Sequence, residues 1–180
     1  MSRYAAFLRA VNLGETRKAP AERLRSAFEA AGLEDVATFQ TSGNVVFTAP
    51  GRQSDSSLIE AIEGGLRDEL GFEVPVYLRS ADRVNQIAAK EPFAAAAIQA
   101  SKGKLQVALL LDKPSAAAKK RVMSLASERD RLTLDEAELY WLPSSGTQQS
   151  SLDWRSIERA LGPSTVRTQG TIERLAAKFF

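Results

Sequence analysis

Two segments of this chain repeat each other at a fixed distance. Residues 79–90 read "RSADRVNQIAAK" and residues 167–178 read "RTQGTIERLAAK". Arg79, Ala88, Ala89 and Lys90 recur as Arg167, Ala176, Ala177 and Lys178, all at an offset of 88. Ser80, Val84 and Ile87 recur conservatively as Thr168, Ile172 and Leu175. Such self-similarity points to an internal duplication. The pattern of elements around the two segments must then be the same.

It is the same. In the first half, "RYAAFLRAVN" at 3–12 is a largely apolar run that fits a buried strand, with Arg3 and Arg9 as its charges. Pro20 opens a helix with Leu24, Ala27, Phe28 and Ala31 on one face, and Gly32 stops it. Strands follow at 36–40 and 45–48, then a helix from Asp55 to Gly71, a strand at 73–78, and a helix capped by Ser80. In the second half, a strand at 104–111 precedes a helix opened by Pro114. Strands at 131–134 and 138–142, a helix starting at Ser151, a short strand at 165–167 and a helix capped by Thr168 complete it. Each half reads β-α-β-β-α-β plus a helix, the order of the ferredoxin-like split βαβ unit. The expected fold is therefore α+β, a duplicated ferredoxin-like arrangement of antiparallel sheets with helices on one face. The expected division is a first subdomain over 1–93, a linker over 94–103 and a second subdomain over 104–180, with Pro92 and Gly103 flanking an Ala-rich stretch.

Two missing residue types restrict the chemistry. The chain has no Cys and no His. Disulfides, thiolate nucleophiles, zinc-thiolate sites, His-based triads and His-metal sites are excluded within it. An enzyme built on this chain would work with carboxylates, Lys, Tyr, backbone dipoles or a metal held by oxygen ligands. No cofactor or metal is expected. The 24 basic and 22 acidic residues leave a formal charge of +2, too small to argue for nucleic acid by itself. No apolar run approaches the roughly 20 residues of a membrane helix. The start, Met1-Ser2-Arg3-Tyr4, lacks a signal peptide's apolar core, so a cytoplasmic location is expected. The oligomeric state is not encoded in any pattern of this kind.

"QTSGNVVF", residues 40–47, sets small polar residues before an apolar strand. Gly43 and Asn44 suit a tight turn, and Gln40 and Ser42 add polar side chains that a turn does not require. The segment "RYAAFLRAVNLG" with its basic loop and Pro20, followed by "QTSGNVVF", resembles the bacterial domain-of-unknown-function 1697 family. The resemblance spans nearly the whole chain and implies two ferredoxin-like subdomains, with no established reaction. The chain departs from the family's pattern at Ala10 and Glu15, where glycines are usual, and in "SGTQQSSLDW", which lacks a Lys. It departs again at Thr168-Gln169-Gly170-Thr171, where the pattern has Asn-Trp-Asn-Thr.

Several constellations are candidates for binding. The loop "NLGETRKAP", residues 12–20, precedes a helix start, where free amides attract anions and Arg17 and Lys18 would add charge, although Glu15 opposes it. Arg9 sits in an apolar strand and needs a partner, either a carboxylate or a bound anion. Arg79 and Arg167 hold equivalent positions, which suggests architecture, while the family's terminal motif draws Arg167 toward a site. The aromatic residues on strands (Tyr4, Phe7, Phe39, Phe47, Tyr77, Tyr140 and Trp141) would be core or, if exposed on the sheets, base-stacking platforms. Asp135, Glu136 and Glu138 read as the polar tip of a hairpin. The leading expectation is a non-catalytic or weakly catalytic protein. It binds a small anionic or polar ligand in a polar cleft between the subdomains, through Arg9, Asn12, Lys18, Gln40, Ser42, Asn44 and Arg167. The alternatives are nucleic-acid binding through the sheets and a non-catalytic interaction protein.

Overall fold

The computed structural model describes residues 1–180. The elements run β1 (Ser2–Leu8), α1 (Ala21–Ala30), β2 (Glu34–Thr38), β3 (Asn44–Ala49), α2 (Asp55–Leu70), β4 (Val76–Ser80) and α3 (Ala81–Ala88). They continue with α4 (Ala95–Ala100), β5 (Gln106–Leu110), α5 (Ala116–Met123), β6 (Asp130–Asp135), β7 (Glu138–Pro143), α6 (Trp154–Leu161), β8 (Ser164–Thr168) and α7 (Gln169–Phe179). The result is an α+β chain of two similar halves. Each half has a four-stranded antiparallel sheet, ordered β2-β3-β1-β4 in the first and β6-β7-β5-β8 in the second.

The duplication extends to side-chain geometry. Arg79 and Arg167 each stand one residue before the end of a strand, and each donates a guanidinium N–H to the carbonyl just before it, Leu78 O at 2.7 Å and Val166 O at 2.9 Å. One residue on, the hydroxyls of Ser80 and Thr168 each accept the amide three residues ahead, at 3.2 Å, as helix caps do.

The first core lies under one face of the first sheet. Period-two positions Ala6 and Leu8, Val45 and Phe47, and Val76 and Leu78 meet Leu24, Ala27 and Phe28 of α1 and Leu58, Ile62 and Leu66 of α2. Gly65 lets the helices close up, since a Cβ there would stand 2.6 Å from Ala27 O. Burial of side chains such as Phe28 and Ile62 stabilises by about 1.5–3 kcal/mol each, and this apolar stripe rather than propensity holds so short a helix as α1. Ala5, Phe7, Val46 and Tyr77 project from the opposite face and are buried as well, which is why β1 shows no polar alternation. The second core is built alike: Ala108, Leu110, Leu132, Leu134, Leu139 and Trp141 receive Val122 of α5 and Ile157 of α6.

Four local expectations change. The first strand stops at Leu8 rather than Asn12, because Ala10 and Asn12 take positive φ (57° and 55°) and turn the chain out of the sheet. Arg9 is therefore a half-buried residue at the strand exit, its amide bonded to Pro75 O, and not a guanidinium inside a buried strand. The helix expected to start at Ser151 starts at Trp154. Asp153 caps it, with its carboxylate accepting from the Ser156 amide at 3.0 Å and the Ser156 hydroxyl at 2.6 Å. Residues 95–100 of the expected linker form a short helix. Finally, the chain divides into compact units at other points, 1–85 with 175–180 and 86–174. The last six residues join the first unit because Phe179 packs edge-on against Phe39 at 6.0 Å, and Arg3 reaches the carbonyl of Phe179 and the ring of Phe180.

Candidate functional site

The loop between β1 and α1 is held by its own polar side chains. Asn12 acts as a two-sided strut: its Oδ1 accepts the Ala19 amide at 2.8 Å, and its Nδ2 donates to Thr41 O at 2.7 Å. Its backbone amide donates to Arg17 O at 2.7 Å. Arg17 pins the loop from the other side, with Nε on Ala10 O at 2.7 Å, one Nη on Glu73 O at 2.6 Å, and its guanidinium 4.5 Å from the centre of the Phe72 ring. Arg17, read as a source of anion-binding charge, is thus spent on backbone carbonyls and an aromatic face. Lys18 remains exposed.

The turn of "QTSGNVVF" docks on this loop. The Leu8 amide donates to Gly43 O at 2.7 Å, and the Asn44 side chain donates to Phe39 O at 2.9 Å and Ser42 Oγ at 3.0 Å. Asn44 is wholly buried, so its side chain closes the turn rather than facing a ligand. Gly43 is required twice over. Its φ is +73°, and a Cβ there would lie 2.4 Å from Val11 Cγ2 and 3.0 Å from Leu8 Cβ. Gln40 holds a positive φ of 60° and is exposed, as is Ser42.

Between loop and turn lies a recess of about 390 Å³, lined by Asn12, Ala19, Pro20, Ala21, Leu24, Thr38, Gln40 and Thr41. Helix α1 begins at its wall with Pro20 in the cap position and no side chain capping it. First-turn amides of an uncapped helix carry partial positive charge and seek acceptors. The acidic Glu22 in that turn takes up some of this field.

Of the expected site residues, the structure thus gathers Asn12 and Gln40 on one recess, with Ser42 and Asn44 in the adjoining turn. Lys18 is on the same loop, and Arg9 is at the strand end that leads into it. Arg167 belongs to the second unit, on β8. It is buried, donates to Thr165 Oγ1 and Val166 O at 2.9 Å each, and burial lowers its pKa to about 10. The hairpin acids are occupied: Asp135 pairs with Lys90 at 3.1 Å and Glu136 with Lys113 at 2.9 Å, while Glu138 is buried in β7. Of the strand aromatics, Phe7, Phe47, Tyr77, Tyr140 and Trp141 are buried and Tyr4 and Phe39 half-buried, so none offers an open face to a base.

The second unit contains a larger cavity that was not among the expected sites. It measures about 650 Å³ and is lined by residues of 88–91, 103–105 and 168–174, with Ile98. Gln169 and Gly170, both in this wall, stand at the departure from the terminal motif, which was the one signal in the sequence that marks it.

A model of the family described as "Protein of unknown function (DUF1697)" matches residues 1–140. The chain belongs to this family. The match covers the β1 strand, the strut loop and the Ser-Gly-Asn turn, and it ends within β7 of the second half. No curated protein matches the chain. Among solved structures, this DUF1697 chain is similar to the conserved bacterial protein SP0830 from Streptococcus pneumoniae. That likeness has 20% identity and a TM-score of 0.77, covering 99% of this chain and 98% of the other. At that identity the likeness shows a shared fold. No helix of the chain is long and apolar enough to cross a membrane.

Proposed function

We propose that this DUF1697 protein is a non-catalytic binding protein for a small polar or anionic molecule, taken up in the recess at the start of α1. The supporting observation is the uncapped α1 N-terminus opening onto a 390 Å³ recess whose polar rim is Asn12, Thr38, Gln40 and Thr41. That volume lies within the usual range of small-molecule sites, about 300–1,000 Å³. In this reading Gln40 and Thr41 contact the ligand directly, while Asn12 sets the spacing of the two walls. Lys18 and Arg9 supply positive charge, Ser42 and Asn44 shape the turn, and Arg167 is left to the second unit. The Glu22 carboxylate makes a neutral or singly charged molecule a better fit than a polyanion. The strand orders support a further reading of each half as a ferredoxin-like unit. Nucleic-acid binding gains no support, because the strand aromatics are not offered to bases.

A thermal-shift screen against nucleotides, phosphates, carboxylates and neutral amides tests the proposal. A ligand at about 100 times its Kd adds about 2.7 kcal/mol of stability by mass action. The hits should weaken in Gln40→Ala and Lys18→Ala. A hit that both variants bind as well as the native chain would place the site elsewhere.

A further inference from the structure

A smaller pocket of the second unit has an unpaired carboxylate oxygen in its wall. Asp130 opens β6 and is only 3% exposed. Its Oδ1 is taken twice, by the Trp141 indole N–H at 2.8 Å and the Ser150 hydroxyl at 2.6 Å. Its Oδ2 receives no donor from the chain, and no Lys or Arg pairs with it. This oxygen is not sealed off: it keeps accessible surface, and Asp130 lines a pocket of about 230 Å³. A largely buried carboxylate without a cation is costly, so one left open to a pocket suits a guest that brings the positive charge.

The rest of the wall is formed by the chain that leaves β7. The Ser144 amide donates to Arg129 O at 2.7 Å, which ties this segment to the start of β6. Gly146 then turns at a φ of +102°, and the Gln149 side chain folds back over it, since a Cβ at 146 would stand 2.9 Å from Gln149 Oε1. Gln149 Oε1 and the hydroxyls of Ser145 and Ser151 bond nothing else in the chain. With Asp130 Oδ2 they form a set of oxygen acceptors, the complement of a primary ammonium with its three N–H donors. Arg129 is the other charge of the wall; it is exposed and pairs with no acidic side chain. It repels a bare cation and attracts a guest that carries a carboxylate as well. The volume is below the usual range of small-molecule sites, about 300–1,000 Å³, so the guest is small.

We propose that the pocket at Asp130 binds a small amino acid as its zwitterion. The ammonium donates to Asp130 Oδ2, with Gln149 Oε1 and a serine hydroxyl as its further acceptors, and the carboxylate is turned to Arg129. This site belongs to the second unit; the recess at α1 belongs to the first, and neither depends on the other.

The test uses the full chain with glycine and L-alanine as probes. N-acetylglycine, which has no ammonium, and N,N,N-trimethylglycine, which keeps the charge but has no N–H, serve as analogues. Binding is followed by two-dimensional NMR of the Gly146 amide and of the Trp141 indole N–H, which rests on the same carboxylate. The expected result is saturable shifts of both signals with at least one probe, and at least about tenfold weaker binding of both analogues, one charge-assisted hydrogen bond's worth. Asp130→Asn keeps a carbonyl oxygen for Trp141 and Ser150 but sets an amide NH₂ in place of Oδ2, and it should abolish binding. If that variant unfolds, the two analogues still decide the role of the carboxylate. Arg129→Ala, at an exposed position, should weaken glycine by a similar tenfold and leave glycinamide unchanged. Equal binding of glycine and its trimethyl analogue, shifts that survive Asp130→Asn, glycine binding unaffected by Arg129→Ala, or no saturable shift with either probe would each overturn the proposal.

Discussion

Asn44 and Phe39 are bonded twice across the Ser-Gly-Asn turn. The Asn44 side-chain amide donates to Phe39 O at 2.9 Å, and the Phe39 amide donates to Asn44 O at 2.8 Å. The second bond is a backbone contact just past the last β2–β3 pair, Thr38 with Val45, while the first requires this side chain. Asn44→Ala leaves the Phe39 carbonyl one partner short in a part-buried setting and is expected to cost about 1–3 kcal/mol. Ser42→Ala, at an exposed position, should stay within about 0.5 kcal/mol. Urea unfolding of the two variants checks this. Equal midpoints would mean that the Asn44 side chain does not close the turn.

Gly43 makes the same turn fit against β1. Alanine there meets a φ of +73° and the Val11 methyl at 2.4 Å together. The left-handed backbone costs an L-residue about 1–2 kcal/mol, and overpacking adds about 1–3 kcal/mol. Gly43→Ala should therefore be among the most damaging single changes in the first unit, read as a fall in melting temperature. A variant as stable as the native chain would contradict the close approach to Val11.

Asp130 supports the second unit in a comparable way. It is buried, and its Oδ1 accepts the Trp141 indole N–H at 2.8 Å and the Ser150 hydroxyl at 2.6 Å. Asp130→Ala orphans a buried indole N–H and is expected to cost about 1–3 kcal/mol. Asp130→Asn, which keeps a carbonyl oxygen, should recover part of the loss. Tryptophan fluorescence during denaturation follows both, since Trp141 packs edge-on to Trp154 at 5.2 Å.

The cap of α6 gives a pH dependence of definite sign. The Ser156 hydroxyl and then the Ser156 amide hold the Asp153 carboxyl below the ordinary aspartate range. The folded chain therefore binds this proton less readily than the unfolded chain. The stabilisation is fully present above the unfolded pKa of about 3.9 and is lost as pH falls through the lowered folded value. Asp153→Ala should melt below the native chain at neutral pH, with the gap narrowing in strong acid. A gap that is unchanged or wider near pH 2 would contradict the assignment.

Much of the fold was legible because local rules and global packing agree here. The apolar faces of Leu24, Phe28, Leu58 and Ile62, and the caps at Ser80 and Thr168, appear where periodicity and capping chemistry put them. The site was less legible. Arg9, Arg17 and Asn44 all read as binding residues from their polarity. Only the structure showed that Arg17 and Asn44 satisfy backbone carbonyls brought near by other elements, and that Arg9 lies beyond the strand end. Polarity alone does not distinguish a side chain that binds a guest from one that closes a loop.

The sequence by itself determined the elements, their duplicated order and the exclusion of His and Cys chemistry, because each follows from residues adjacent along the chain. The tertiary structure decided which polar groups are spent and which remain. Asn12 became a strut because Ala19 and Thr41 lie on either side of it, and Asp130 kept a free acceptor because Trp141 and Ser150 share its other oxygen. Hydrogen-bond satisfaction depends on partners distant in sequence, and only folding supplies them.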